Sequence, residues 1–361
     1  MQAVIKKAAI LLGMALLFFF FGRMDSAFYQ QPVGEVLSQK TSFVSDSQDE
    51  HGNQDQSYKQ TLKVKVINRS NKVVEIENDY LSSKAESSRY RVHDQLLLSK
   101  IGSQYQVDMP KRDSLLFGLV ALLLTGLYMA SGRKKFSYLT LALVFNAMLF
   151  LSVVIWDARS RSLPVLALFV ILAVLLSAIA LVFVLGRTKQ AFITWVSTCL
   201  ATLLALVAMA LAMTVTGGAG VHFETMSYVT QVPAPIFYSQ AVIGVLGAVM
   251  DESGDIVAGL FGMQRESANR TFSEYYKSGL SIGKEILGTL TNVLFMIFIA
   301  ETIPMVVLML RNGNNWSYIL DQAMNLGILQ TVVSALGIVW AVPVTAFLAA
   351  RRLTKEKEVA K

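Results

Sequence analysis

Three carboxylates, Asp251, Glu252 and Asp255, lie near the inner end of an apolar stretch of this sequence, where a charge is costly. Asp251 and Asp255 are four residues apart and therefore share one face of a helix. A charged side chain at the centre of a bilayer costs about 2.5–3.5 kcal/mol on insertion scales. The pair is a candidate site for binding a cation or relaying a proton. Alternatively, both carboxylates mark the end of a membrane span at the water interface.

A second polar stripe follows in the next apolar stretch. Glu285, Thr289 and Asn292 are spaced i, i+4 and i+7, so one helical face carries a carboxylate, a hydroxyl and an amide. Facing the two aspartates, this stripe could line a path for an ion or a solute. The same side chains could instead hydrogen-bond two helices together, and the spacing does not decide between these interpretations.

A third polar position lies farther along the same stretch. Glu301 follows Glu285 by sixteen residues and is predicted on roughly the opposite side of the helix. Pro304 cannot donate to the carbonyl of Ala300, which leaves a free acceptor near this carboxylate. Glu301 is a candidate outer gate or ion contact; the alternative is a glutamate that reaches the interface near a kinked helix end.

Glycines accompany these polar residues. Gly279 and Gly283 have the small-xxx-small spacing that lets helices pack closely, and Gly247 and Gly288 are predicted at similar packing positions. Glycines around Asp251 also permit a broken helix, which membranes tolerate only where the irregular backbone is buried in protein or lines water. This stretch is therefore predicted either as a discontinuous span or as a continuous helix.

The composition identifies the elements that must position these residues. The 361 residues are 54% hydrophobic and 16% charged, with a mean hydropathy of +0.50, whereas soluble domains are about 45–50% apolar and about 25% charged. A helix needs about 20 apolar residues to cross a bilayer. Eight stretches qualify, so the sequence predicts a polytopic α-helical membrane protein with about eight spans: 8–21, 114–131, 136–156, 163–185, 191–216, 236–258, 286–310 and 319–350.

The positions of the basic residues predict the topology. Lys6 and Lys7 precede the first stretch, and further basic residues occupy alternate loops and the tail, at 133–135, 187–189, 265–284 and 351–361. Because cytoplasmic loops carry the excess of Lys and Arg, both termini are predicted in the cytoplasm and residues 23–112 outside. The net charge of +7 is thereby explained by topology, and nucleic acid is not expected as a partner.

The amino-terminal region is predicted to contain an anchor and an outer domain. Residues 1–22 are interpreted as an uncleaved signal anchor, because Asp25 follows where a cleavage site favours small residues; a cleaved signal peptide is the alternative. Residues 30–60, rich in Gln, Ser and Asp, predict a flexible lead-in. Residues 61–109 alternate polar and apolar residues in short runs, which predicts a small β-rich barrel or sandwich.

The rest of the chain completes the predicted domain organisation. Residues 113–350 form a seven-helix membrane domain, and residues 351–361 form a basic cytoplasmic tail. Within the outer domain, the NRSN sequence at 68–71 predicts the first hairpin turn. The outer domain is interpreted as a packing or assembly module; the alternative is a sensor of a ligand or partner.

The familiar catalytic and metal-binding motifs do not occur. Residues 279–284 resemble a phosphate loop, but the spacing is one residue short and Glu285 stands where Ser or Thr should bind magnesium. His222 and Glu224 share a predicted outer loop, and two ligands do not make a metal site. Cys199 is the single cysteine, which excludes an internal disulfide. We expect no catalytic residues, no metal and no cofactor.

Three motifs carry a resemblance to a known family. They are GAVMD at 247–251, SG at 278–279 followed by IGKEILGTLTN at 282–292, and Ile303-Pro304 before a long last span. In these motifs, residues 114–350 resemble the YibE/F-like family of bacterial multispanning membrane proteins. The outer domain followed by seven spans is similar to the YibE-type arrangement.

The resemblance implies a bacterial cytoplasmic membrane protein, often found beside a shorter YibF-type partner, with a transport role that is conjectured in the family. Family members usually have Arg-Asp where this sequence has Lys284 and Glu285, so both charges are kept. The family usually continues past the position of Asp251 with small apolar residues. This sequence is more acidic there, with Glu252 and Asp255.

Two functions are therefore predicted. In the first, the protein is a permease or permease subunit, and the polar stripes together with Glu301 line or gate a path through the membrane. In the alternative, it is a non-transporting scaffold whose outer domain binds an envelope partner. An enzyme ranks third, because no nucleophile and base can be paired. The expected partners are the lipid bilayer and either a YibF-like membrane protein or a second copy of the chain.

Overall fold

The structure is a computed structural model that describes residues 2–48, 50, 52–69, 71–84, 87–102, 104–160, 164–226, 233–267 and 269–359. The chain forms two compact units, Met1–Phe136 and Ser137–Lys361. The first unit contains a β-sheet between two apolar helices, and the second contains only helices and loops among its described residues. The predicted order of β-rich domain and helical membrane domain is therefore confirmed.

The sheet of the first unit has five antiparallel strands in the order β3-β2-β1-β4-β5. Its edge strands β3 and β5 also approach each other, which curls the sheet toward a barrel. The inward face holds the core residues Val36, Leu62, Val64, Val66, Ile76, Tyr90, Leu96 and Leu98. The strands are β1 (Val33–Gln48), β2 (Gln54–Val66), β3 (Val73–Leu81), β4 (Gln95–Ile101) and β5 (Gln104–Pro110).

The segment 30–60 differs from its predicted flexible state. Most of it belongs to β1 and β2, which pair from Gly34 opposite Val66 to Gln48 opposite Gln54. Backbone hydrogen bonds, which require no apolar side chains, hold this long hairpin together. Gln60 is buried, and its amide donates to Gln39, to Thr41 and to the backbone. These strands were not predicted, because their polar residues give no hydropathy signal.

The hairpin turn predicted at 68–71 lies between β2 and β3, so it is the second turn of the sheet and not the first. Asn68 stabilises it, because its side-chain oxygen accepts from the Val33 backbone at 2.8 Å and its amide donates to the carbonyl of Gln31 at 2.8 Å. Asn71 has a φ of 51°, a left-handed conformation that asparagine tolerates.

Two helices flank the sheet within the first unit. Helix α1 (Gln2–Met24) packs against the start of α2 (Asp113–Ser160), where a Cβ atom at Gly118 would lie 3.2 Å from the carbonyl oxygen of Ala15. Helix α2 is interrupted at Gly132, whose φ of 73° and ψ of 163° are not helical. It therefore contains two of the predicted spans, 114–131 and 136–156.

A buried ion cluster joins the helix ends to the sheet. The Lys111 ammonium lies 2.7 Å from Asp25 and 2.9 Å from Asp113, and it also donates to the carbonyl of Gly22. Tyr29 donates to the second oxygen of Asp113 at 2.5 Å. Only 1% of the Lys111 side chain is exposed. Because the carboxylates come from the end of α1 and the start of α2, these charges fix both helices to the β5 end.

The second unit is built around helix α8, which packs against α4, α5 and α6. A short turn and a π-helical turn, α7 (Trp316–Tyr318) and Ile319–Ala323, precede α8, so its regular helix begins later than the predicted start of the last span at 319. The helices of this unit, besides the end of α2, are α3 (Val165–Leu185), α4 (Lys189–Thr216), α5 (Pro233–Glu266), α6 (Phe272–Arg311) and α8 (Asn325–Val359).

Seven helices in the described part of the chain are long and apolar enough to cross a membrane. The prediction was about eight spans, and the difference arises because α2 holds two of them across its break at Gly132. Helix α5 runs without interruption from Pro233 to Glu266, so its glycines do not break it. The discontinuous span considered for this segment is therefore not formed.

Candidate functional site

The acidic segment of α5 presents its side chains in two directions. Asp251 and Asp255 are exposed, whereas Glu252 and Ser253 are buried, each with 0% of its surface exposed. The Thr345 hydroxyl of α8 donates to the Ser253 hydroxyl at 3.0 Å, which satisfies that buried serine. The predicted pair, Asp251 and Asp255, therefore lies on an open face of the helix, one turn apart.

Glu252 is the most unusual polar residue of the second unit. Both of its carboxylate oxygens are buried, and neither has a hydrogen-bond partner among the described residues. Burying a polar group without a hydrogen bond costs about 1–3 kcal/mol by mutational measurements, and more if the group is charged. Packing does not explain why a carboxylate is kept at this position, since an apolar side chain would avoid the cost.

Glu252 was named among the charged residues of this stretch but was not included in the predicted path, although a signal was present. Glu252 follows Val245 by seven residues and Val249 by three, and it precedes Ile256 by four. These three residues are buried with 0% exposure, so the helical repeat places Glu252 beside the face that packs into the core. A carboxylate in that repeat, unlike one on the opposite face, is buried by the neighbouring helices.

The polar stripe of α6 is formed as a helical face, but it points away from the core. Glu285, Thr289 and Asn292 are all exposed. The Thr289 hydroxyl donates to the carbonyl of Ile286 in its own helix at 2.7 Å. Among the described residues, no hydrogen bond or ion pair joins the stripe to Asp251 or Asp255, so the two polar sets are not in direct contact.

The register between α5 and α6 nevertheless brings the two sets to the same depth. A Cβ atom at Gly259 of α5 would lie 2.8 Å from Ile282 of α6, where these antiparallel helices touch. Asp255 lies one turn and Asp251 two turns before Gly259. Along α6, Glu285 lies about one turn and Thr289 two turns after Ile282. Polar residues of the two helices therefore lie at successive matching depths. We call this exposed set the α5–α6 face: Asp251, Asp255, Glu285, Thr289 and Asn292.

Glu301 is exposed and lies apart from this face. Helix α6 continues through Pro304 to Arg311. Just before the proline, the Thr302 hydroxyl donates to the carbonyl of Phe298 at 2.9 Å, so a side chain also occupies an acceptor of this helix. The role of Glu301 as an outer gate stays a prediction.

The four glycines predicted at packing positions fall into two groups. A Cβ at Gly279 would lie 2.8 Å from Ala346, and one at Gly283 would lie 2.6 Å from Val342, so both sit at the close crossing of α6 and α8. No heavy atom of the described residues lies within 4 Å of a Cβ at Gly247 or Gly288. Those two positions are open, because the packing face of each helix lies on another side.

Alanine at Gly283 is expected to destabilise the membrane domain by about 1–3 kcal/mol, the usual cost of overpacking a filled contact. The same change at Gly288, five residues later in the same helix, is expected to leave stability unchanged or raise it slightly, since alanine favours the helix. Thermal unfolding of the two variants in detergent measures the difference. Equal destabilisation by both substitutions would contradict the close contact at Gly283.

One further titratable group lies in the loop before α5. The His222 ring nitrogens lie 2.7 Å from Glu224 and 3.2 Å from Asp321. The hydrogen bond that the His222 ring donates to the Glu224 carboxylate raises the pKa of His222, with a smaller contribution from Asp321. The described residues contain no group of three or more histidine, cysteine or acidic side chains arranged to hold a metal ion. These contacts therefore connect two loops.

Comparison with known families matches most of the chain. The family model described as "YibE/F-like protein" matches residues 119–355, and the model described as "YibE/F family N-terminal domain" matches residues 27–109. No curated protein and no solved structure matches the sequence. The first match contains the whole α5–α6 face and Glu252, and the second contains the five-stranded sheet.

Proposed function

Because this chain belongs to the YibE/F-like family, a family of membrane proteins, we propose that it is a permease or a permease subunit that moves a solute or an ion along the α5–α6 face. The buried carboxylate of Glu252, which has no hydrogen-bond partner among the described residues, carries this proposal. Ionisable residues inside membrane domains are costly and typically mark ion pathways or proton relays.

The arrangement of α5 suggests how a cation would reach Glu252. Asp251 and Asp255 are exposed on the same helix, immediately before Glu252 and three residues after it. Their negative charges raise the local concentration of cations or protons at the open face. Glu252, which has no partner in the part of the chain that the structure describes, then gains a counter-charge or a proton, and either event removes the cost of its buried negative charge.

The α6 stripe supplies the opposite wall of the proposed path. Glu285 adds a carboxylate, while Thr289 and Asn292 add neutral oxygen ligands that suit a cation or a hydrogen-bonding solute. Charged residues facing hydrocarbon would each cost about 2.5–3.5 kcal/mol, so this face is either wetted or covered. A YibF-like protein or a second copy of the chain is the cover that we propose.

The proposed location is the bacterial cytoplasmic membrane. The chain crosses it several times, with both termini in the cytoplasm and the sheet domain outside. The basic residues of the 133–135 and 187–189 segments and of the tail support this orientation. In this role the chain carries out no bond-breaking chemistry and needs no cofactor.

The alternative is a scaffold whose membrane residues hold a partner. The exposure of Glu285, Thr289 and Asn292 favours it to some extent, since an exposed polar stripe can bind another membrane protein. A scaffold does not account for Glu252, however. That carboxylate is buried within its own chain and contributes no hydrogen bond to helix packing among the described residues.

Flux through reconstituted protein tests the proposal. Proteoliposomes with an entrapped pH or cation indicator are expected to respond to an imposed proton or cation gradient faster than protein-free liposomes. Asp251→Asn is expected to remove most of this flux without changing folding, because it removes a charge from the mouth of the path. Glu266→Gln, an exposed carboxylate near the end of the same helix, is the matched control. Equal flux in Asp251→Asn and wild type would contradict the path.

A further inference from the structure

A cavity of about 640 Å³ opens where the start of α4 meets the end of α8. Five basic side chains line it, and none of its lining residues whose side chains the structure describes is acidic. The five are Arg187, Lys189, Arg351, Arg352 and Lys355. These bases come from two segments more than 160 residues apart in sequence, and the fold brings them together. Ile193 of α4 packs with Ala349, Ala350 and Leu353 of α8, which fixes the two helix ends to each other.

The other wall of the cavity is apolar. It consists of Phe192, Ile193 and Val196 of α4 and Leu348 of α8. Phe192 is 63% exposed, so an aromatic ring borders the opening. A soluble anion such as phosphate would make no favourable contact with this apolar wall. A molecule with an anionic head and hydrocarbon chains matches both the basic side chains and the apolar wall of the cavity.

The start of α4 adds a further feature that favours an anion. The Thr188 hydroxyl accepts from the Ala191 backbone at 3.1 Å and caps the helix. The neighbouring backbone N–H groups of the first turn have no acceptor within the helix, and they carry its positive end. The amino-terminal end of α4 and the basic side chains therefore both favour an anion.

The depth of the cavity agrees with a lipid ligand. The apolar helix α3 ends at Leu185, and α4 begins at Lys189, so the bases lie at the ends of membrane-crossing segments. Phospholipid headgroups occupy this depth. We propose that this cavity binds the headgroup of an anionic phospholipid, with the phosphate between the two basic segments and an acyl chain along Phe192 and Val196.

Trp195 provides a reporter for this site. Its ring lies 6.2 Å from the ring of Phe192, between centroids. In a protein with Trp156, Trp316 and Trp340 replaced by phenylalanine, bromine on a nearby acyl chain would quench the remaining tryptophan. Reconstitution with brominated phosphatidylglycerol is expected to quench Trp195 at a lower mole fraction than reconstitution with brominated phosphatidylcholine does.

Two double variants, one from each side of the cavity, test the assignment. Arg351→Gln with Arg352→Gln, and separately Arg187→Gln with Lys189→Gln, should each reduce the preference for phosphatidylglycerol by roughly tenfold or more, given about 1 kcal/mol for each basic residue at an anionic surface. All four side chains are exposed, so the fold should survive. Arg265→Gln with Arg270→Gln removes the same charge from another loop and should leave the preference unchanged.

Each remaining outcome contradicts the lipid site. No preference for phosphatidylglycerol in the starting protein would rule it out. An equal loss in the Arg265 and Arg270 control would mean that general surface charge attracts the lipid. Millimolar inorganic phosphate that abolishes the preference would assign the cavity to a soluble anion.

Discussion

Glu252→Met is expected to stabilise the membrane domain by about 1–3 kcal/mol, the cost of burying a polar group without a hydrogen bond, and to abolish flux. The two effects have one cause. Methionine fills a similar volume and leaves no unsatisfied oxygen, but it can bind neither a proton nor a cation. Thermal unfolding in detergent and indicator-loaded proteoliposomes measure the two effects on the same preparation.

The control for this prediction is Glu266→Met, the same substitution at the exposed end of α5. It should change neither the unfolding temperature nor the flux. A Glu252→Met protein that is more stable and retains its full flux would assign Glu252 to no function. A less stable one would show that the carboxylate has a partner in the folded protein, which the structure does not contain among its described residues.

Lys111→Met is expected to weaken the sheet domain by about 3–5 kcal/mol, the usual cost of removing one partner from a buried ion pair. Asp25 and Asp113 would remain close to each other without the ammonium that now lies 2.7 Å and 2.9 Å from them. Hydrogen exchange of the β4 and β5 amides in the intact protein measures the free energy of opening in this region alone.

Two comparisons give this prediction its specificity. Lys59→Met removes a lysine from an exposed ion pair with Glu77, and such pairs contribute little, so exchange should not change. Combining Lys111→Met with Asp25→Asn and Asp113→Asn should restore much of the lost stability, because the stranded charges are gone. If the triple variant opens as easily as Lys111→Met, lost packing and not charge accounts for the effect.

The buried ion cluster at Lys111 also holds the end of the first helix, α1. Asp25 lies just after α1, and its carboxylate is part of the ion cluster that connects this helix to β5 and α2. Proteolytic removal of residues 1–27 would strip Lys111 of this partner. The uncleaved anchor stays a prediction, which amino-terminal sequencing of the mature protein tests.

Hydropathy located most of the helices because a bilayer imposes a length and a composition on each crossing segment. It could not show that two predicted spans belong to one interrupted helix, since that depends on the conformation of Gly132. The failure at residues 30–60 has a different origin. Strands β1 and β2 pair through their backbones, and the polar Gln60 is satisfied by hydrogen bonds, so neither feature leaves an apolar signature.

The candidate site could be predicted only in part, because the orientation of a helix depends on its neighbours. Spacing correctly put Glu285, Thr289 and Asn292 on one helical face, but which way that face points depends on the neighbouring helices. The close contacts of Gly279 and Gly283 with α8 orient α6, and they turn the stripe outward. For Glu252, the sequence did contain a signal. Its neighbours in the helical repeat, Val245, Val249 and Ile256, are all apolar, and the structure buries them.

Cysteine accessibility tests most directly whether the α5–α6 face is a water-filled path. In a Cys199→Ser background, single cysteines at Asp251, Thr289 and Asn292 would be treated with a membrane-impermeant thiol reagent from each side. The controls are a cysteine at the buried Val249 and one at the exposed Arg265 in the last turn of α5. We predict labelling at all three face positions and at Arg265, with protection at Val249. Protection of all three face positions while Arg265 reacts would contradict the path, since a face covered by lipid or by a dry partner admits no water.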